Sequence, residues 1–112
     1  MKTINDLVAT GKFKLTNAGE NMETTIEKVF CCDLLSVAMG KAPAGSAWVT
    51  VMANVNTFAV ATLAEVACVI LAEGMEMDDV TLEKAVERGI PVFSTEEPVF
   101  ESALFVKDFI EG

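Results

Sequence analysis

From residue 47 onward the apolar positions switch regularly between two periodicities. Residues 47–52 form a short apolar run that reads as a strand, and residues 55–65 carry helical spacing. Residues 66–72 are apolar without alternation, the pattern of a strand covered on both faces. Asp78 or Asp79 then caps a helix running to Arg88, with Leu82, Ala85 and Val86 expected to face the core. Gly89-Ile90-Pro91 supplies a helix stop, and residues 91–94 a last strand. Ser94 and Glu97 have the spacing of a capping box for a final helix ending near Ile110.

The first part of the chain is less regular. Thr3 and Asp6 frame a helix over residues 3–10, with Ile4, Leu7 and Val8 on one face and Gly11 after its end. A short strand at 13–15, a polar turn at 16–21 and a strand at 25–32 follow. Residues 33–39 read as a short helix stopped by Gly40 and Pro43. Strand–helix alternation from residue 47 implies parallel pairing through right-handed crossovers. The expected fold is a small three-layer α/β domain with a mainly parallel sheet, spanning 1–112 without repeat or linker.

Composition narrows the function. The 112 residues hold 8 Lys+Arg against 17 Asp+Glu, a net charge of −9. With a pI of about 4.3, this speaks against nucleic acid and anionic membrane surfaces, which need basic contacts. There is no histidine, so imidazole catalysis and imidazole metal ligation are absent. Mean hydropathy is +0.43, ample for a buried core. Residues 42–64 carry no charge and could span a bilayer on length alone. Pro43, Gly45, Asn54 and Asn56 within that stretch fit a strand, a polar turn and a helix better. The N-terminus lacks the apolar core of a signal peptide. Three cysteines cannot make a full disulfide framework, and Cys31 and Cys32, adjacent in a strand, point to opposite faces. Reduced cysteines in apolar runs suit the cytoplasm.

Few motifs carry chemistry. Gly11-Lys12 and Gly40-Lys41 lack P-loop spacing. The acidic residues Glu73, Glu76, Asp78, Asp79, Glu83 and Glu87 lack calcium-loop spacing and read as a solvated face. Neither metal nor cofactor is expected. In a parallel sheet, ligands sit beyond the carboxyl ends of the strands. There the chain carries Asp33, Ser36, Thr50, Asn54, Asn56, Ser94 and Thr95, a candidate rim for a small polar or anionic effector. The competing reading makes Asp33, Asn56 and Ser94 helix caps only. Phe100, Phe105 and Phe109 widen the apolar sector of the final helix beyond one core-facing stripe, which predicts a homodimer contact.

The segments Cys32-Asp33-Leu34-Leu35-Ser36-Val37-Ala38-Met39, Trp48-Val49-Thr50-Val51, Asn56-Thr57-Phe58-Ala59-Val60-Ala61 and Gly89-Ile90-Pro91-Val92-Phe93-Ser94-Thr95, followed by Phe100-Glu101, resemble the small stand-alone DRTGG-domain proteins. These are similar to the N-terminal domain of HPr kinase/phosphorylase and to a regulatory domain of some phosphotransacetylases. The resemblance implies an α/β regulatory, effector-sensing or assembly module without a kinase catalytic domain. Two departures stand out. Residues 24–30 lack the Asp-Arg and paired glycines that name the family, and Asn54 stands where close relatives are expected to carry histidine.

The expected function is a non-catalytic, cytoplasmic, homodimeric module that senses a small effector or binds a protein partner. In it Asn56 and Ser94 would donate to the effector and Asp33 would accept. One alternative is a small enzyme using Asp33 or Cys32 in the same rim. Another is a structural subunit acting through its Phe-rich helix.

Overall fold

The computed structural model describes residues 1–112. The elements run α1 (Ile4–Ala9), β1 (Lys14–Asn17), β2 (Lys28–Cys31), α2 (Leu35–Lys41), β3 (Ser46–Thr50), α3 (Val55–Ala64), β4 (Cys68–Leu71), α4 (Asp79–Arg88), β5 (Val92–Ser94) and α5 (Val99–Glu111). They form one five-stranded sheet in the order β1-β5-β4-β3-β2. β2, β3, β4 and β5 pair in parallel, while β1 joins β5 antiparallel. The α/β architecture with a mainly parallel sheet is therefore as the sequence pattern indicates.

Two cores follow from strand alternation. One face of the sheet offers Ala47, Val49, Cys68, Ile70 and Phe93 to α1 and α5, meeting Ile4, Leu7 and Val106. The other offers Trp48, Val69, Leu71 and Val92 to α2, α3 and α4, meeting Ala38, Phe58, Ala61 and Ala85. Every residue of β3 and β4 is buried, which explains the apolar runs Ala47-Trp48-Val49 and Cys68-Val69-Ile70-Leu71.

Helix ends show which polar residues are committed to structure. Thr3 and Asp6 form the expected capping box on α1. Asp78 caps α4, its side chain accepting from the Thr81 N–H, and Gly89 ends that helix with φ +67. Asp33, Asn56 and Ser94 are not caps. Asn54 caps α3, while the N-cap positions of α2 and α5 are Leu34 and Pro98, neither with a side-chain cap bond. The Ser94–Glu97 box does not form because Ser94 is still in β5. Its neighbour Thr95 takes the Glu97 N–H at 3.2 Å instead.

Two further expectations are corrected. The first strand begins at Lys14 and runs through Thr16 and Asn17, where the sequence pattern reads as a turn. Their side chains donate to Val92 O and Ile90 O, tying a polar segment to β5. On α4, Ala85 and Thr81 face inward, while Leu82 and Val86 are exposed. No helix is long and apolar enough to cross a membrane.

Candidate functional site

Parallel pairing places the carboxyl ends of β2, β3, β4 and β5 on one edge of the sheet. Register aligns Thr50 with Leu71, Leu71 with Ser94, and Ser94 with Lys14. With strands about 4.8 Å apart, Thr50 and Ser94 lie roughly 10 Å from each other. Buried Leu71 stands between them. The rim is therefore two neighbourhoods.

The β2–β3 neighbourhood is closed upon itself. Asp33 Oδ1 accepts from Thr50 Oγ1 at 2.6 Å and from the Val51 N–H at 2.9 Å. Thr50, fully buried, also accepts from the Met52 N–H at 3.2 Å. The Trp48 indole donates to Cys32 O at 3.0 Å, fixing the turn out of β2. Asn54 Oδ1 takes the N–H groups of Asn56 and Thr57. Ser36 and the Asn56 side chain sit exposed on α2 and α3.

The β5 neighbourhood is open. Ser94 and Thr95 line a cavity of about 460 Å³ together with Lys12, Lys14, Gly74 and Glu96. Asp33, Ser36, Thr50, Asn54 and Asn56 lie outside it. Because β1 is antiparallel, its first residue arrives beside the last residue of β5, bringing Lys14 to the site. Lys12 is held by Glu97 at 3.0 Å and lies over the Phe105 ring at 5.3 Å. Lys14 forms no ion pair.

The cavity wall is rigid. Ala72-Glu73-Gly74-Met75 makes a tight turn closed by the Met75 N–H on Ala72 O, with φ +61 at Glu73 and +73 at Gly74. Two positive φ values define a type I′ turn. A left-handed Glu73 costs about 1–2 kcal/mol. The turn is held by the Glu73 N–H on Glu97 O and the Gly74 N–H on Thr95 O, each 2.9 Å. A Cβ on Gly74 would come within 2.6 Å of Glu96 Oε2.

Lys12 and Lys14 do not follow from the carboxyl ends of the parallel strands. The available signal was Phe13 and Leu15 as inward positions, which sets Lys12 and Lys14 on the opposite face of a strand.

Two of the three thiols, Cys31 and Cys68, are poorly suited to nucleophilic work. Burial, then the Asp33 charge, push the Cys31 thiol up, and burial pushes Cys68 up to about 12. As for the phenylalanines, Phe105 packs edge-on against Phe13 at 5.6 Å, and Phe109 lies under Lys2 at 4.9 Å. Phe100 alone of the three stays open, 69% exposed. Phe105 is thus covered in part by Phe13, in the segment leading into β1, and Phe109 by Lys2 ahead of α1, while Phe100 and Leu104 remain exposed on α5.

No family model matches the chain, and no curated protein matches it. Among solved structures, it is similar to the CBS and DRTGG domains of the regulatory region of Clostridium perfringens pyrophosphatase, crystallised with its activator diadenosine tetraphosphate. The match has a TM-score of 0.76 at 15% identity, covering 93% of this chain and 45% of that one. The chain thus spans under half the length of that neighbour. The fold supports a DRTGG-like α/β domain.

Proposed function

We propose that the protein is a non-catalytic regulatory module of the cytoplasm that binds a small anionic effector at the carboxyl ends of β4 and β5. The observation carrying this reading is Lys14, an unpaired cation beside the Ser94 and Thr95 hydroxyls in the open cavity. In a chain with 17 acidic residues, a free lysine placed by the sheet register beside two hydroxyls suits a phosphate or carboxylate. Glu76 and Glu96 at the same cavity would accept from hydroxyls or amines elsewhere on the effector.

The regulatory character of the structural neighbour supports the same reading, and so does the resemblance to stand-alone DRTGG domains and the HPr kinase N-terminal domain. A nucleotide polyphosphate is the first ligand to try. Asp33 and Thr50 serve to build the adjacent turn in this account. Calorimetric titration with diadenosine tetraphosphate, ATP and pyrophosphate tests it. Saturable binding by at least one, lost in Lys14→Glu and kept in Asp33→Asn, is the expected result. Binding that ignores Lys14→Glu would refute the site.

A further inference from the structure

The cavity at Lys14 does not end at Ser94. We infer that it continues into an apolar subsite and that the joined groove takes a nucleotide, with phosphate at Lys14, ribose between Glu76 and Ser94, and base among Leu71, Met77 and Leu82. This rests on the anion site proposed above and names the class of effector it serves. A second cavity, of about 190 Å³, is lined by Thr16, Leu71, Glu76, Met77, Leu82 and Ser94. Glu76 and Ser94 line the first cavity as well, so the two meet there.

Strand alternation sets the whole groove on one face of the sheet. Leu71 and Val92 point toward the layer of α2, α3 and α4, and Ser94, two residues beyond Val92, points the same way. Lys14 pairs with Ser94, while Leu15 packs on the opposite core. Lys14 and Thr16 therefore share the groove face, roughly 6–7 Å apart along β1. The bulge in β1 falls at Thr16, and bulges re-aim side chains in this way. Leu82 borders the groove from α4, which gives a place to an apolar side chain turned out of the core.

The groove changes chemistry along its length. At one end Lys14 is unpaired, while Lys12 is held by Glu97. At the other Leu71 is buried, Met77 half-buried and Leu82 37% exposed, with no charge among the three. Between them stand the Glu76 carboxylate, an acceptor only, and the Ser94 hydroxyl. Cation, acceptor and apolar wall follow in the order of phosphate, ribose diol and base; acidic side chains hold ribose hydroxyls in other nucleotide sites. The apolar part is smaller than the ~300 Å³ at which whole-ligand sites begin, so it suits one flat ring, and the Met77 thioether favours an aromatic one. A bare polyphosphate would leave that end unfilled, and a sugar alone would set hydroxyls against leucines.

α4 fixes the direction. Helix N-termini attract phosphate, but this one carries Asp78 as its cap and Asp79 in its first turn. These carboxylates repel an anion from the Leu82 end and leave Lys14 as its place. The larger cavity beside Val29, about 570 Å³, gathers Lys2, Lys28 and Lys107. There Lys107 is paired with Glu111 and Lys2 lies over Phe109, so two of its three lysines are engaged within the chain.

The test is a ladder of ligands that share one phosphate: inorganic phosphate, ribose 5-phosphate and AMP. Each is titrated in metal-free buffer against the ¹⁵N-labelled chain. AMP should bind about tenfold more tightly than ribose 5-phosphate, from the ring it buries, and ribose 5-phosphate more tightly than phosphate. Leu82→Asn, at an exposed position of α4, should remove the base step and leave the two smaller ligands unchanged. Glu76→Ala, at an exposed loop position, should remove the ribose step while holding phosphate at least as tightly, since a negative charge is gone. AMP no tighter than ribose 5-phosphate, or a base step that survives Leu82→Asn, overturns the inference. If Leu82→Asn does not fold, Glu76→Ala decides, and a ribose step that persists there overturns it. Pyrophosphate that binds where AMP does not overturns the nucleotide subsites and leaves the anion site standing, whereas a chain that binds neither loses both.

Discussion

Replacing Asp33 by alanine removes one acceptor and strands two donors. The carboxylate holds Thr50 Oγ1 at 2.6 Å and the Val51 N–H at 2.9 Å. Thr50 is fully buried, so its hydroxyl has no water to turn to, while Val51 is half-buried. An unsatisfied buried donor costs about 1–3 kcal/mol. Because Asp33 itself is exposed, its charge adds little, and the loss should come to about 2 kcal/mol. For a domain of this size that is roughly a 10 °C drop in melting temperature. Asparagine keeps an acceptor at Oδ1, so Asp33→Asn should cost less than about 1 kcal/mol, the difference between charged and neutral bonds. Urea denaturation of Asp33→Ala, Thr50→Val and the double variant closes a thermodynamic cycle. Asp33→Ala should cost clearly less when Thr50 is already valine, since one stranded donor is gone. Additive losses, or an Asp33→Asn as damaging as alanine, would mean that Asp33 does not act through these bonds. Its role as a reacting or binding group would then return.

Three further outcomes follow from the same geometry. Glu65 ends α3 with φ +58, so Glu65→Gly should stabilise the chain by about 1 kcal/mol in urea melts, and no gain would argue against a left-handed cap. The backbone bond from Thr81, then its side chain, hold the Asp78 carboxyl below the ordinary carboxylate range. A folded value below the unfolded one contributes stability above that range and loses it as pH falls through the folded value. The advantage of wild type over Asp78→Asn should therefore shrink between pH 7 and pH 3, and a gap independent of pH would contradict the assignment. With its thiol pushed up to about 12 and no exposed surface, Cys68 should resist iodoacetamide at pH 8 in the folded chain while exposed Cys31 reacts. Mass mapping of the alkylated peptides reads this directly, and early labelling of Cys68 would show that the core opens.

The parallel part of the fold was legible because its strands are buried on both faces. Residues 66–72 can be little else, and Asp78 and Gly89 mark α4 at both ends. The first half resisted because its strands lie at the edges. Thr16 and Asn17 look like a turn, and only their bonds to Val92 and Ile90, far along the chain, make them a strand. The same distance hid the site. Ser94 and Thr95 could be placed at a strand end from local pattern, whereas Lys14 reaches them only through antiparallel pairing. Asp33, Asn56 and Ser94 were plausible caps by type, but capping depends on backbone dihedrals. Asn54 had the geometry, and Asp33 found Thr50 instead. Phe105 and Phe109 looked surplus on a helix considered alone, since Phe13 and Lys2 come from elsewhere.

The most direct test of the sensing role is amide chemical-shift mapping of the ¹⁵N-labelled protein titrated with diadenosine tetraphosphate, ATP and pyrophosphate. The account predicts saturable shifts at Lys12, Lys14, Gly74, Ser94 and Thr95, with Asp33 and Asn56 little moved. Shifts confined to the cavity beside Val29, or none with any of the three ligands, would contradict it.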